Sequence, residues 1–214
     1  MRFHDRREAG RLLAELLVPL DLADPLVLAL PRGGVPVGYE IARALGCPLD
    51  VLIVRKIGAP GDPEYGVGAV TAEDPPYFNK YVLAGLGLSE DDVSPTVERE
   101  RQKARHQVEQ FREGRPSPEV TGRTVIVVDD GVATGGTARA ALRSLRRHQP
   151  SRLVLAVPVC ASDSAEELQE DVDQLVCAHT TSHLGGVGLW YDVFTQVPDA
   201  EVVKLLRTSE GRSH

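Results

Sequence analysis

Along this chain, short runs of consecutive apolar residues alternate with stretches whose apolar positions recur every three to four residues. Residues 5–17 (DRREAGRLLAELL) set Ala9, Leu12, Leu13, Leu16 and Leu17 on one face of a helix. LVLAL (26–30) reads as a buried strand, followed by PRGG and a helix-like segment reaching about Leu45. DVLIV (50–54), TVIVV (124–128), RLVLAVPV (152–159) and DQLVCA (173–178) read as four further strands. Helical patterns fill 137–148 and 162–171, and PDAEVVKLL reads as a terminal helix. Apolar strands with helices between them predict an α/β fold, a central and mostly parallel sheet with helices on both faces. In such sheets ligands bind beyond the carboxyl ends of the strands, so the loops after the strands are where chemistry is expected.

One interval, 57–121, breaks the alternation and shows no obvious buried strand. Within it, 95–114 reads as a helix with Val97, Ala104, Val108 and Phe111 in one stripe and oppositely charged residues three apart on its solvated face. The preceding IGAPGDPEYGVGAVTAEDPP is rich in Gly and Pro and reads as a mobile flap. The expected organisation is a core over 1–180, carrying the flap and helical insertion at 57–121, and a C-terminal hood over 181–214.

Composition narrows the function class. A chain of 214 residues, 42% hydrophobic and 26% charged, is neither fibrous nor disordered. A net charge of −7 disfavours nucleic-acid binding. No apolar run is long enough to span a bilayer, and no apolar stretch follows the basic N-terminal residues, so neither a membrane span nor a secretory leader is expected. Cys47, Cys160 and Cys177 are odd in number and form no CxxC, which suits a reducing cytoplasm.

The most informative segment is TVIVVDDGVATGGTARAAL (124–142). A strand ends in two carboxylates, Asp129 and Asp130; a loop of small and hydroxyl residues follows, and Thr137 opens an Ala-rich helix. A helix start presents free backbone N–H groups and the positive end of the dipole. Gly135 and Gly136 let the main chain approach a ligand, and Thr134 and Thr137 add hydroxyls, so Ala133–Thr137 is a cradle for a phosphate monoester. Two acids beside an anion cradle make sense when the ligand also presents sugar hydroxyls or a divalent cation. There is no GxxxxGK[ST] and no GxGxxG to suggest a nucleotide loop of another kind.

VVDDGVATGGT (127–137) resembles the binding motif of the type I phosphoribosyltransferases, which use 5-phosphoribosyl 1-pyrophosphate (PRPP). PRGGVPVG (31–38) resembles that family's pyrophosphate loop, and RKIG (55–58) the segment leading into its flexible catalytic loop; together the likeness spans about residues 25–180. It implies transfer of the phosphoribosyl group to a nitrogenous acceptor with release of pyrophosphate. The 5-phosphate would lie on Ala133, Thr134, Gly135, Gly136 and Thr137, and the ribose hydroxyls on Asp129 and Asp130. The pyrophosphate would be held by Arg32, Gly33, Gly34, Arg55 and Lys56. Arg32, Lys56, Asp129 and Asp130 would carry catalysis. It further implies a non-proline cis peptide between Pro31 and Arg32, Mg²⁺ bound mainly through PRPP with Asp129, Asp130 and Asp192 as indirect partners, and a homo-oligomer, most simply a dimer. Trp190 and Tyr191 in the hood would face the acceptor. Where 6-oxopurine enzymes of the family carry an additional Asp, this chain has Ala133, which disfavours such bases and leaves adenine, orotate, uracil or another amine open. A catalytically silent PRPP-binding regulator is the competing reading; Arg32, Lys56 and both aspartates weigh against it.

Overall fold

The structure, a computed structural model, describes residues 2–210. In chain order the elements are α1 (Arg6–Leu17), β1 (Pro25–Ala29), α2 (Gly34–Leu45), β2 (Leu49–Val51), β3 (Arg55–Ala59), β4 (Asp62–Val70), β5 (Tyr77–Phe78), α3 (Lys80–Gly85), α4 (Glu90–Arg112), β6 (Thr124–Val128), α5 (Gly136–Arg146), β7 (Arg152–Ala161), α6 (Ser162–Leu168), β8 (Gln174–Thr181) and α7 (Asp199–Glu210). Five strands form a parallel sheet in the order β2-β1-β6-β7-β8.

The twofold alternation of side chains along each strand sorts the sheet's apolar residues into two cores. Val27, Ala29, Ile126, Val128, Val154 and Ala156 face α1, α2, the C-terminal half of α4 and α7. Leu26, Leu28, Val125, Val127, Leu153 and Leu155 face α5 and α6. With both faces covered, each strand is apolar at nearly every position, which is why it reads as a run rather than an alternation. Among the described residues no helix is long and apolar enough to cross a membrane.

The 57–121 interval departs from expectation. Residues 55–78 form a second, antiparallel sheet in the order β3-β4-β5, packed through Ile57, Val67 and Val70 on Val93 and Val97 of α4 and Leu83 of α3. Two of the glycines that suggest mobility, Gly58 and Gly68, serve close packing instead. A Cβ on Gly58 would come within 2.4 Å of the Pro63 carbonyl oxygen, and one on Gly68 within 2.3 Å of that of Tyr77. Strands approaching this tightly require Gly, and Gly hides the alternating pattern that would reveal them. The helix expected from 95 begins earlier, because Ser89 and Asp92 form a capping box and Pro95 is carried inside the helix. The second strand is shorter than its apolar run: it ends at Val51, and the chain leaves the sheet to start β3.

Candidate active site

The carboxyl ends of two neighbouring strands, β1 and the central β6, lie side by side. β6 delivers Asp129 and Asp130, and the next residue but one, Val132, is pinned to β7 by hydrogen bonds with Val159 and Ala161. Gly135, buried and at φ 72°, turns the chain into α5. A residue with a Cβ is strained at that φ, so the glycine is required by the turn. No side chain caps α5 at its N-cap, and Ala133, Thr134, Gly136 and Thr137 are exposed. The first-turn N–H groups and two threonine hydroxyls therefore border an open face, as an anion cradle needs.

After β1, the peptide bond between Pro31 and Arg32 is cis. Gly34 donates to the Leu30 carbonyl at 3.0 Å, turning the chain into α2. This turn abuts the acidic pair: a Cβ on Gly33 would lie 1.9 Å from Asp130 Oδ2, and one on Gly34 2.6 Å from the Val128 carbonyl oxygen. Two segments about a hundred residues apart thus form one surface, with glycine backbone against a carboxylate.

Asp129 and Asp130 differ in their partners. Asp129 Oδ1 accepts from the Asp130 N–H at 2.8 Å, yet withdrawal from water, and then the neighbouring Asp130 charge, drive the Asp129 carboxyl well above the ordinary carboxylate range. Asp130 Oδ2 accepts from Arg6 Nε at 2.8 Å, and its carbonyl accepts from the Tyr191 hydroxyl at 2.6 Å.

The cations are also held. Arg32 Nε lies 2.7 Å from Asp199 Oδ1 at the start of α7, and Gln110 of α4 donates to the other Asp199 oxygen at 3.1 Å. Arg55 contacts Glu100 Oε2 with both Nε and Nη2, at 3.2 and 3.1 Å, while Lys103 takes Oε1 at 2.7 Å. Burial works against the Glu100 charge, but these two cations outweigh it and lower the carboxyl. Strand alternation turns exposed Lys56, which pairs in register with Ala69, to the face opposite Arg55.

The hood residues are placed unequally. Tyr191 is 2% exposed, packs on Phe3, and burial pushes its phenol far up; it offers no open face for an acceptor ring. Trp190 is half-buried against His179, with Nε1 donating to the Leu184 carbonyl. Asp192 is exposed and lies 3.5 Å from Arg2. Arg6, Asp199 and Glu100 are partners that periodicity does not single out, because each comes from an element distant in sequence. A cavity of about 260 Å³ lies elsewhere, between the β2 edge, the 71–74 turn and the 117–121 segment. It contains none of these residues.

A sequence profile of the phosphoribosyl transferase domain matches residues 3–192. Two Mycobacterium tuberculosis proteins, from strains CDC 1551 and H37Rv, carry a provisional phosphoribosyl transferase name and are each 41% identical over 204 residues. That alignment covers 95% of this chain and 46% of theirs, so the chain spans about half the length of the curated relatives it matches. The crystal structure of TT1426 from Thermus thermophilus superposes with a TM-score of 0.86 at 42% identity, covering 96% of this chain and 98% of that one. A Neisseria gonorrhoeae protein solved with bound ppGpp shares the fold alone, at a TM-score of 0.51 and 14% identity over 97% of this chain and 98% of that one. By its profile match and its close relatives, the chain belongs to the phosphoribosyl transferase domain family.

Proposed function

We propose that this chain is a PRPP-dependent phosphoribosyltransferase acting on a nitrogenous acceptor. The observation that carries the reading is the abutment of the glycine turn after β1 and the carboxylate pair after β6, beside the uncapped start of α5. One ligand with a phosphate, a diol and a diphosphate calls for these three surfaces together. The 5-phosphate rests on the backbone of Ala133–Thr137 and the hydroxyls of Thr134 and Thr137. The ribose 2′- and 3′-hydroxyls donate to Asp129 and Asp130. The diphosphate lies along Gly33 and Gly34, with Arg32 and Lys56 as its cations; Arg55, expected from the sequence to join them, is turned to Glu100 on the other face of β3.

The acceptor nitrogen's lone pair forms the new bond to the anomeric carbon. The bond from that carbon to the diphosphate oxygen breaks, its electron pair leaving with pyrophosphate, and the acceptor nitrogen's proton passes to an oxygen of the departing pyrophosphate. Positive charge on the sugar then faces the carboxylates, while negative charge on the leaving group faces Arg32 and Lys56. Fixed groups aimed at both developing charges lower the barrier without reorganising. The β3–β4 hairpin, carrying Lys56 near its base, covers the reacting carbon and keeps water from it.

Among the described residues no cluster of three or more His, Cys, Asp or Glu could hold a metal by itself. Two adjacent carboxylates suit Mg²⁺ only as a partial oxygen set, which fits an ion carried chiefly by the ligand's own oxygens and water. When bound, it neutralises diphosphate charge. Ala133 supplies no carboxylate to take a proton from a 6-oxopurine, so the acceptor belongs to another class of amine.

The test incubates the chain with Mg²⁺, PRPP and pooled bases and amines, and reads products by mass spectrometry. A new phosphoribosyl adduct with acceptor-dependent pyrophosphate release is the expected result. Tight PRPP binding without turnover on any acceptor overturns the enzymatic reading and leaves a sensor.

A further inference from the structure

Asp130 is gripped from outside its own loop. Arg6, in the first turn of α1, donates from Nε to Asp130 Oδ2 at 2.8 Å and from Nη1 to the Thr195 carbonyl at 2.8 Å. Its guanidinium carbon lies 3.9 Å from the centroid of the Phe194 ring, which stacks on Tyr191 at 5.1 Å. Tyr191 in turn donates its hydroxyl to the Asp130 carbonyl. The Arg6 and Asp130 side chains are only 11% and 15% exposed.

This arrangement has a physical consequence for the pair of acids. Asp129 and Asp130 are adjacent and repel each other, while Gly33 leaves Asp130 no room to retreat on the β1 side. A guanidinium at hydrogen-bond distance, shielded from solvent, offsets that repulsion and fixes the carboxylate plane. With Nε and Nη1 engaged and the side chain largely covered, Arg6 acts on a ligand through Asp130 and not by touching it.

We propose that Arg6 is a positioning residue of the ribose subsite, setting the Asp130 carboxylate for a sugar diol and tying it to the 190–195 segment. The inference rests on the diol reading of Asp129 and Asp130 given above. It extends the site to two parts of the chain that carry none of the motif, the first helical turn and the aromatic segment after Trp190.

The experiment titrates the full chain calorimetrically with ribose 5-phosphate and, separately, with inorganic phosphate, and takes the ratio of affinities. Wild-type protein is expected to prefer ribose 5-phosphate. Arg6→Met is expected to cut that preference about tenfold, the scale of one charged hydrogen bond, and Arg6→Lys to recover part of it. An unchanged preference in Arg6→Met overturns the assignment, as does an equal loss of both ligands, which marks general loosening of the 129–137 loop. Should Arg6→Met not fold, Phe194→Leu removes the stack that seats the guanidinium; a smaller fall in the preference is expected, and none overturns the proposal. A wild-type chain with no preference for the sugar phosphate refutes the diol reading itself, and that outcome is distinct from a wild-type preference that survives loss of Arg6.

Discussion

Gly33 and Asp130 make the sharpest residue-scale case. Gly33 has φ −63°, which any residue adopts, so its identity answers to space alone. A methyl group there collides with Asp130 Oδ2. Gly33→Ala is therefore expected to push the carboxylate aside and weaken PRPP binding at least tenfold, with only a modest fall in melting temperature; calorimetric titration beside a thermal melt checks both. Lys56, exposed and on the face opposite Arg55, is expected to act late in the reaction: Lys56→Ala should lower kcat about a hundredfold with a smaller change in KM for PRPP, read from steady-state kinetics.

Asp129 carries a stability prediction with a definite sign. Its folded carboxyl titrates above the unfolded one, so the folded state binds the proton more tightly. Stability from this group is full below the unfolded value of about 3.9 and is lost as pH rises toward the raised folded value. Asp129→Asn removes the penalty and is expected to raise the melting temperature at pH 7 by about 2–4 °C, while weakening binding of the sugar. Melts of both proteins across pH 4–8 should converge at the acid end, and parallel curves would refute the attribution. By contrast, burial pushes the Cys47 and Cys160 thiols up to about 11 and about 12, so neither is a reactive nucleophile at neutral pH.

Among the elements, the β3–β4 hairpin is built for closeness rather than for freedom. Glu100 of α4 anchors its base through Arg55, and Gly68 permits the β4–β5 contact. Gly68→Ala places a methyl group against backbone at Tyr77, and is expected to cost about 1–3 kcal/mol and to speed amide exchange in β5 and β4. Exchange mass spectrometry reads that locally; unchanged protection there would mean the strands have slack. α5 works the other way: no side chain caps its first turn, and on the proposed reading inorganic phosphate is expected to raise the melting temperature by occupying those N–H groups.

Over the whole molecule, the C-terminal helix belongs to the core as much as to the site. Val202, Leu205 and Leu206 of α7 are buried with α2 and the sheet, and Asp199 at its start holds Arg32. Ending the chain at residue 198 removes three buried aliphatic side chains, each contributing about 1.5–3 kcal/mol, and uncovers the α2 and sheet residues packed against them, so a chain so shortened is expected to lose cooperative unfolding in circular dichroism.

The parallel sheet, its helices and the strand-loop-helix turn that carries Asp129 and Asp130 were legible along the chain, because apolar runs, helix periods and a glycine turn at a strand end are local patterns. Strand lengths at β2, and the whole antiparallel sheet, were not: glycines chosen for strand contact erase the alternation that announces a strand. Nor could adjacency of the Pro31–Gly34 turn to Asp130, the pairing of Arg32 with Asp199, or the burial of Tyr191 be read, since each depends on segments far apart in sequence. Local chemistry determined what kinds of group this protein offers a ligand. The order of strands in the sheet, set by how two apolar faces are covered at once, decided which of those groups stand together.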